Sequence, residues 1–110
     1  MITYDEFDKV DVRVGTITAV DDFPQARKPA YKLTIDFGTE IGVKKSSAHI
    51  TVHYSKEALT GKKVLAVVNF PEKQIGPFIS QVLTLGTPDT NGDVLLVDPG
   101  RTAVIGSRMF

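Results

Sequence analysis

The sequence predicts an all-β fold, a single barrel of five short strands accompanied by short helices. The chain has 110 residues, of which 42% are hydrophobic, and this is enough to bury the core of one compact domain. Apolar and polar residues alternate with a period of two in several segments, as in strands with one buried face. Turn-forming residues separate these segments at short intervals. We therefore assign residues 1–110 to one domain.

The N-terminal segment predicts a short helix followed by a long strand. Thr3 and Glu6 form a capping-box pattern, so a helix through about Lys9 is expected. The apolar residues of the following strand change parity at Gly15: Val10, Val12 and Val14 precede it, and Ile17 and Ala19 follow it. A bulge or sharp coil at Gly15 explains the change, and the alternative that Gly15 simply ends one strand stays open.

The remaining elements complete the barrel. They are a second strand over residues 31–37, a third beginning at Ile41 and Val43, a helical turn over residues 55–60, a fourth strand over residues 64–68 and a fifth over residues 78–85. The fourth is apolar on both parities, which predicts the most buried strand. Five strands with a small helix between the third and fourth are typical of the Greek-key barrel known as the OB-fold.

A C-terminal β extension follows the barrel, whose core spans about residues 10–85. Residues 86–110 contain an Asn91-Gly92 turn, an apolar strand over residues 94–97 and a further apolar stretch over residues 103–105. Because five strands already complete the barrel, the extension must cover an open barrel end or pack against another subunit.

Composition excludes several kinds of chemistry. The chain has no cysteine, so disulfides, thiol nucleophiles and Cys-ligated zinc are excluded, and a reducing cytoplasm is the expected compartment. No apolar run approaches the roughly 20 residues that span a bilayer, and the acidic N-terminus does not resemble a signal peptide, so no membrane insertion is expected.

One set of residues could act as metal ligands on a helix. His49, His53 and Glu57 have the spacing that would align them there, but the β-branched residues between the two histidines resist a helix. We predict no catalytic residue, no metal and no cofactor.

Charge and aromatic residues indicate a polymer-binding surface. The net charge is zero, but residues 27–63 carry eight basic and three acidic side chains. The predicted nucleic-acid-binding residues are cations for phosphates and serines for phosphate or 2′-hydroxyl groups: Arg27, Lys28, Lys44, Lys45, Ser46, Ser47, Lys73 and Ser80. Strand alternation places at most one of Lys44 and Lys45 on the binding face. The predicted peptide-binding residues are Phe70, Pro71 and Phe78, whereas Tyr31 is expected to be buried.

Six ordered blocks of the sequence resemble one family, the tRNA-binding domain. It is shared by free-standing tRNA-binding proteins, the C-terminal extension of some methionyl-tRNA synthetases and the EMAP II cytokine. The blocks are residues 11–17 (DVRVGTI), 23–27 (FPQAR), 32–38 (KLTIDFG), 45–48 (KSSA), 59–64 (LTGKKV) and 68–80. The common Ser-Glu-Gly-Met of the family reads Ser80-Gln81-Val82-Leu83 here.

The resemblance implies an OB-fold core and a homodimer joined through the N-terminal helix and the segment after the fifth strand. It also implies binding of tRNA or of unfolded or exported polypeptides. The resemblance is greatest to the export-associated chaperones of the family, so our first hypothesis is a non-catalytic chaperone with tRNA-binding capacity. A protein that primarily binds tRNA is the second hypothesis, and a generic single-strand DNA binder is the third.

Overall fold

A computed structural model describes the whole chain, residues 1–110, as a set of short helices and strands. None of the helices, the longest of which has five residues, could cross a lipid bilayer. The elements in chain order are α1 (Tyr4–Asp8), β1 (Val12–Asp22), β2 (Tyr31–Asp36), α2 (Gly38–Ile41), β3 (Val43–Ala48), α3 (Lys56–Leu59), β4 (Lys63–Val67), β5 (Lys73–Ile75), β6 (Phe78–Ser80), β7 (Leu83–Thr84), β8 (Gly86–Pro88) and β9 (Val94–Leu96).

Five of these strands form an antiparallel sheet that curls into a barrel. Their order is β3-β2-β1-β4-β7. The two edge strands approach each other, because β3 also contacts β7 and the residues just before it. There the Gln81 N–H donates to the Lys45 carbonyl oxygen at 2.8 Å. The Ser46 hydroxyl donates to the Val82 carbonyl oxygen at 3.2 Å. These bonds nearly close the sheet, so the predicted five-stranded OB-fold barrel is confirmed.

Local sequence signals explain the start of α1 and both ends of α3, and both helices are confirmed where the sequence predicted them. The Thr3 hydroxyl accepts a hydrogen bond from the Glu6 N–H, and the Glu6 carboxylate accepts one from the Thr3 N–H, as a capping box requires. At α3 the Ser55 hydroxyl accepts a hydrogen bond from the Ala58 N–H and caps the helix without a reciprocal bond. Gly61 follows α3 with a φ of 89°, a backbone conformation that favours glycine.

The interior of the barrel is filled by apolar side chains that alternate along the strands. On β2, for example, Leu33 and Ile35 are completely buried and Thr34 between them is not. On β4 the residues from Val64 to Val67 are all buried, which confirms the prediction that this strand is the most buried. The core residues are Ile17, Leu33, Ile35, Phe37, Ile50, Leu59, Val64, Ala66, Val82 and Leu96.

A second, smaller apolar cluster lies on the outer face of β1 and β4. Its buried members are Val12, Val14, Leu65 and Val67, and they are covered by Leu85 and by three residues of the C-terminal extension, Val97, Ala103 and Met109. Backbone bonds hold the extension in place: the Val14 N–H donates to the Ser107 carbonyl oxygen at 3.0 Å, and the Met109 N–H donates to the Val12 carbonyl oxygen at 2.8 Å. The extension therefore covers the wall of its own barrel.

The parity change at Gly15 has a different cause from the one predicted. The register of β1 against β2 shifts between Ile17 and Ala19, so the bulge lies at Thr18 and the prediction of a bulge at Gly15 is wrong. Val12 and Val14 face the extension, whereas Gly15 and Ile17 face the barrel core. Because this part of β1 is covered on both faces, its apolar residues change parity at Gly15 without a bulge at that residue.

Two other strands differ from the prediction. Ile41 belongs to the helical turn α2, so the third strand begins only at Val43. The predicted fifth strand over residues 78–85 is divided, because β6 pairs with β5 in a hairpin whereas β7 pairs with β4. The chain bends between them where Val82 enters the core. The predicted extension strand is confirmed as β9, which pairs with β8.

We predict that Gly15→Ala destabilises the fold by about 1–3 kcal/mol, the usual cost of overpacking a core. A Cβ at this position would lie 2.5 Å from Ile35 Cγ2 and 2.7 Å from Phe37 Cε1. Urea unfolding followed by circular dichroism measures the effect. Ala19→Ser, an exposed change on the same strand, is the control and should stay within about 0.5 kcal/mol of the original chain. Equal stabilities for the original chain and Gly15→Ala would contradict the packing described here.

Candidate nucleic-acid interface

One cleft on the barrel surface collects half of the predicted nucleic-acid-binding residues. It has a volume of about 730 Å³ and lies between the loop over residues 23–30, the end of β3 and the β5–β6 hairpin. Its lining residues, which we call the basic cleft, are Gln25, Ala26, Arg27, Lys28, Ser47, His49, Lys73, Gln74, Ile75 and Gly76. Arg27, Lys28, Ser47 and Lys73 were predicted from the sequence. No carboxylate lines the cleft, so its three permanent charges are all positive.

Aromatic packing positions the loop that carries Arg27 and Lys28. Phe23 is buried at the start of this loop, and its ring meets that of Phe78 on β6 edge to face, with centroids 5.4 Å apart. The Lys32 ammonium lies 5.7 Å from the centroid of Phe23, within the range of a cation–π contact. Phe78 is therefore half-buried and links the loop to the hairpin.

A second, more apolar pocket adjoins the basic cleft. It has a volume of about 310 Å³, and its lining residues, which we call the apolar pocket, are Phe70, Pro71, Lys73, Ser80, Gln81, Val82 and Leu83. Phe70 is 50% exposed and Leu83 is 49% exposed, so both offer apolar surface to a ligand. Of the predicted peptide-binding residues, Phe70 and Pro71 lie in this pocket and Phe78 does not. Lys73 lines both the pocket and the cleft.

The register of β3 separates the other predicted cations and serines. Lys44 lies opposite Ile35 and is half-buried, whereas Lys45 lies opposite Thr34 on the other face and is exposed. The Lys45 ammonium donates to the Thr34 hydroxyl at 2.6 Å. Neither lysine lines the basic cleft. Ser46 is completely buried and its hydroxyl donates to the Val82 carbonyl oxygen, so its side chain contributes to closing the barrel and is not accessible from the surface.

Ser80 and Gln81 connect β3 to the β5–β6 hairpin. The Ser80 hydroxyl accepts a hydrogen bond from the Ser47 N–H at 3.2 Å. The Gln81 side-chain oxygen accepts one from the Lys45 N–H at 3.0 Å, and its amide nitrogen donates to Glu72 at 2.9 Å. The sequence marked Gln81 only as a departure from the family pattern and did not reveal this bridging role.

The two histidines occupy different environments. His49 lies in the basic cleft, where sequence reasoning did not place it. The helix that would align His49, His53 and Glu57 does not form, since α3 begins only at Lys56. His53 Nε2 lies 2.6 Å from a carboxylate oxygen of Asp89. His49 directly follows β3, and its position two residues after the predicted Ser47 was the sequence signal for its place in the basic cleft.

The carboxyl groups with shifted pKa values lie outside the basic cleft and anchor turns. The hydrogen bond from His53 lowers the pKa of Asp89, with smaller contributions from the N–H groups of Asn91 and Asp93. The Gly100 N–H and the nearby Lys62 ammonium lower the pKa of Asp98. Each carboxylate therefore stabilises its turn in the C-terminal extension.

The OB-fold barrel, with a basic cleft beside an apolar pocket, places the chain in the class of small β-barrel binding modules. Comparison with known families identifies the family. The family model described as "Putative tRNA binding domain" matches residues 12–108. The chain belongs to this family of tRNA-binding domains.

Solved structures and curated sequences agree with this assignment. The crystal structure of the CsaA chaperone protein from Picrophilus torridus is 53% identical, with a TM-score of 0.93 and full coverage of both chains. The chaperone CsaA from Bacillus anthracis is 44% identical, with a TM-score of 0.92, over 100% of this chain and 99% of that one. Methionine–tRNA ligase of Chlorobium phaeobacteroides is 36% identical over 99% of this chain. The chain spans about 15% of the length of that ligase.

Proposed function

We propose that this protein is a non-catalytic binding protein that holds tRNA in the basic cleft. The observation that carries the proposal is the convergence of Arg27, Lys28 and Lys73, from two separate segments, on a cleft without a carboxylate. Phosphate contacts need positive charge at suitable spacing and no particular base sequence. Membership of the tRNA-binding domain family supports folded tRNA as the nucleic acid. The cytoplasm, where tRNA is used, is the proposed compartment.

The exposed apolar surface favours a second function, that of a chaperone for unfolded or exported polypeptides. Phe70 and Leu83 offer an apolar surface beside Lys73, which suits an extended peptide with apolar and acidic side chains. Two similar structures at 53% and 44% identity are CsaA chaperones. Because Lys73 lines both sites, the two ligands would compete for one part of the surface.

We further propose a homodimer that buries α1 and the end of the extension. Ile2 and Tyr4 are 70% and 88% exposed, and Val104 is 70% exposed. Ile2, Tyr4 and Phe7 also line a shallow apolar groove beside α1. A twofold contact between such surfaces would cover them and would place two basic cleft copies on one assembly.

Removing the cations of the basic cleft should weaken tRNA binding and its salt dependence. We expect the triple variant Arg27→Ala, Lys28→Ala, Lys73→Ala to reduce the slope of log K against log salt by about 2–3, since each phosphate contact contributes nearly one unit. Filter binding of total tRNA at several salt concentrations measures the slope. Lys9→Ala, Lys62→Ala, Arg101→Ala removes the same charge outside the cleft. Equal losses in both triple variants would refute the assignment of the cleft.

Peptide binding should depend on Phe70 and hardly on salt. Loss of a buried phenyl ring costs about 1.5–3 kcal/mol, so Phe70→Ala should weaken binding of a fluorescent, unstructured peptide rich in Leu and Phe by about tenfold or more. Fluorescence anisotropy provides the measurement. Val52→Ala truncates an exposed apolar side chain outside the apolar pocket and should bind normally. Unchanged affinity in Phe70→Ala would exclude the pocket as the peptide site.

The dimer should appear as a particle of about twice the 12.0 kDa chain mass in light scattering at micromolar concentration. Tyr4→Asp and Val104→Asp should each shift the mass toward one chain, because a charge buried at an apolar interface is costly. Val52→Asp, which also places a charge on an exposed position, is the control. A mass near 12.0 kDa for the original chain would refute the dimer.

A further inference from the structure

His49 is held in the basic cleft in one defined tautomer. Its Nδ1 lies 3.2 Å from the Pro29 carbonyl oxygen. A carbonyl oxygen can only accept a hydrogen bond, so Nδ1 carries a proton and donates it. Nε2, on the far side of the ring, makes no hydrogen bond within the chain. The imidazole is exposed, so Nε2 is accessible to a ligand.

The surroundings of His49 favour an anionic ligand over a neutral one. The charged side chains that line the basic cleft with it are Arg27 and Lys28 from the loop and Lys73 from β5. The other polar side chains, Gln25, Ser47 and Gln74, are neutral. No carboxylate in the cleft would pair with a protonated imidazole, so the added charge is free for a phosphate group.

The cleft suits the backbone of a nucleic acid and not its bases. No aromatic ring other than that of His49 lines it, and its only apolar side chains are those of Ala26 and Ile75. Stacked bases need aromatic platforms, whereas phosphates need donors and positive charge. The polar lining with three cations therefore fits a phosphodiester segment.

We propose, building on the proposed tRNA binding, that His49 is a phosphate-contacting residue whose protonation strengthens RNA binding. With Nδ1 fixed on Pro29, protonation adds a donor at Nε2 and a fourth positive charge to the basic cleft. A histidine side chain gains this proton within about pH 5–8. His49 thus makes RNA affinity respond to pH, which the permanently charged Arg27, Lys28 and Lys73 do not.

His53 provides an internal control because its Nε2 is already engaged by Asp89. The chain has only two histidines, so a change of affinity in the histidine range can be divided between them by single substitutions. Most aspartates and glutamates remain ionised at about pH 5.8, and the α-amino group, which also titrates in this range, is shared by all variants. The difference between variants therefore reports on the substituted histidine.

The experiment measures total tRNA binding by filter binding at about pH 7.8 and about pH 5.8, each at several salt concentrations. We expect the original chain to bind about three- to tenfold more tightly at the lower pH, with a salt slope steeper by about 0.7–0.9, the contribution of one phosphate contact. His49→Gln should lose both responses, and His53→Gln should keep them. His49→Lys should bind tightly at both pH values because its charge is permanent.

The outcomes separate this inference from the proposed function. If His49→Gln keeps the full pH response, or if the original chain binds tRNA with a steep salt dependence but no pH response, only the role of His49 is overturned. If the original chain does not bind tRNA at either pH, the proposed function fails and the inference fails with it. Circular dichroism of each variant verifies that the comparison is made between folded proteins.

Discussion

The junction between β3 and residues 80–82 determines both the closure of the barrel and the shape of its binding surface. Backbone and side-chain hydrogen bonds join three residues of β3 to three residues of the later segment there. Lys45 is bonded to Gln81, Ser46 to Val82 and Ser47 to Ser80. The buried Ser46 hydroxyl contributes the inner bonds, to the Val82 carbonyl oxygen and to the Thr84 hydroxyl. The outer bonds hold the β5–β6 hairpin against the sheet. Because a buried hydroxyl without a partner is costly, this junction has little freedom to shift, and the basic cleft keeps its form.

The two neighbouring binding surfaces explain why one small barrel could serve two kinds of polymer. Lys73 stands between a cleft lined by cations and a pocket lined by Phe70 and Leu83. In the two proposed functions, a phosphate backbone would use the charge, whereas an extended polypeptide would use mainly the apolar surface. The zero net charge of the chain is compatible with this arrangement, because the field at a surface depends on local clustering more than on the total.

The two histidines show how a partner decides what a titratable group can do. His53 is bound to Asp89 beside the turn that joins β8 and β9, where the same carboxylate also accepts the Asn91 and Asp93 N–H groups. His49 is oriented by a neutral carbonyl group and is surrounded by cations. One imidazole therefore contributes to the stability of a turn, and the other is available to a ligand.

The sequence by itself determined the barrel, because alternation in β2, the apolar β4 and the capping residues of α1 and α3 are local signals that the tertiary structure did not override. It also placed Arg27, Lys28, Ser47 and Lys73 among the candidate binding residues. Tertiary structure alone decided which candidates meet. The meeting of β3 with residues 80–82 buried Ser46, and packing against Phe23 left Phe78 half-buried between the loop and the hairpin. The role of Gly15 depended on the extension covering a second face of β1, a contact between residues about 90 positions apart that no local pattern records.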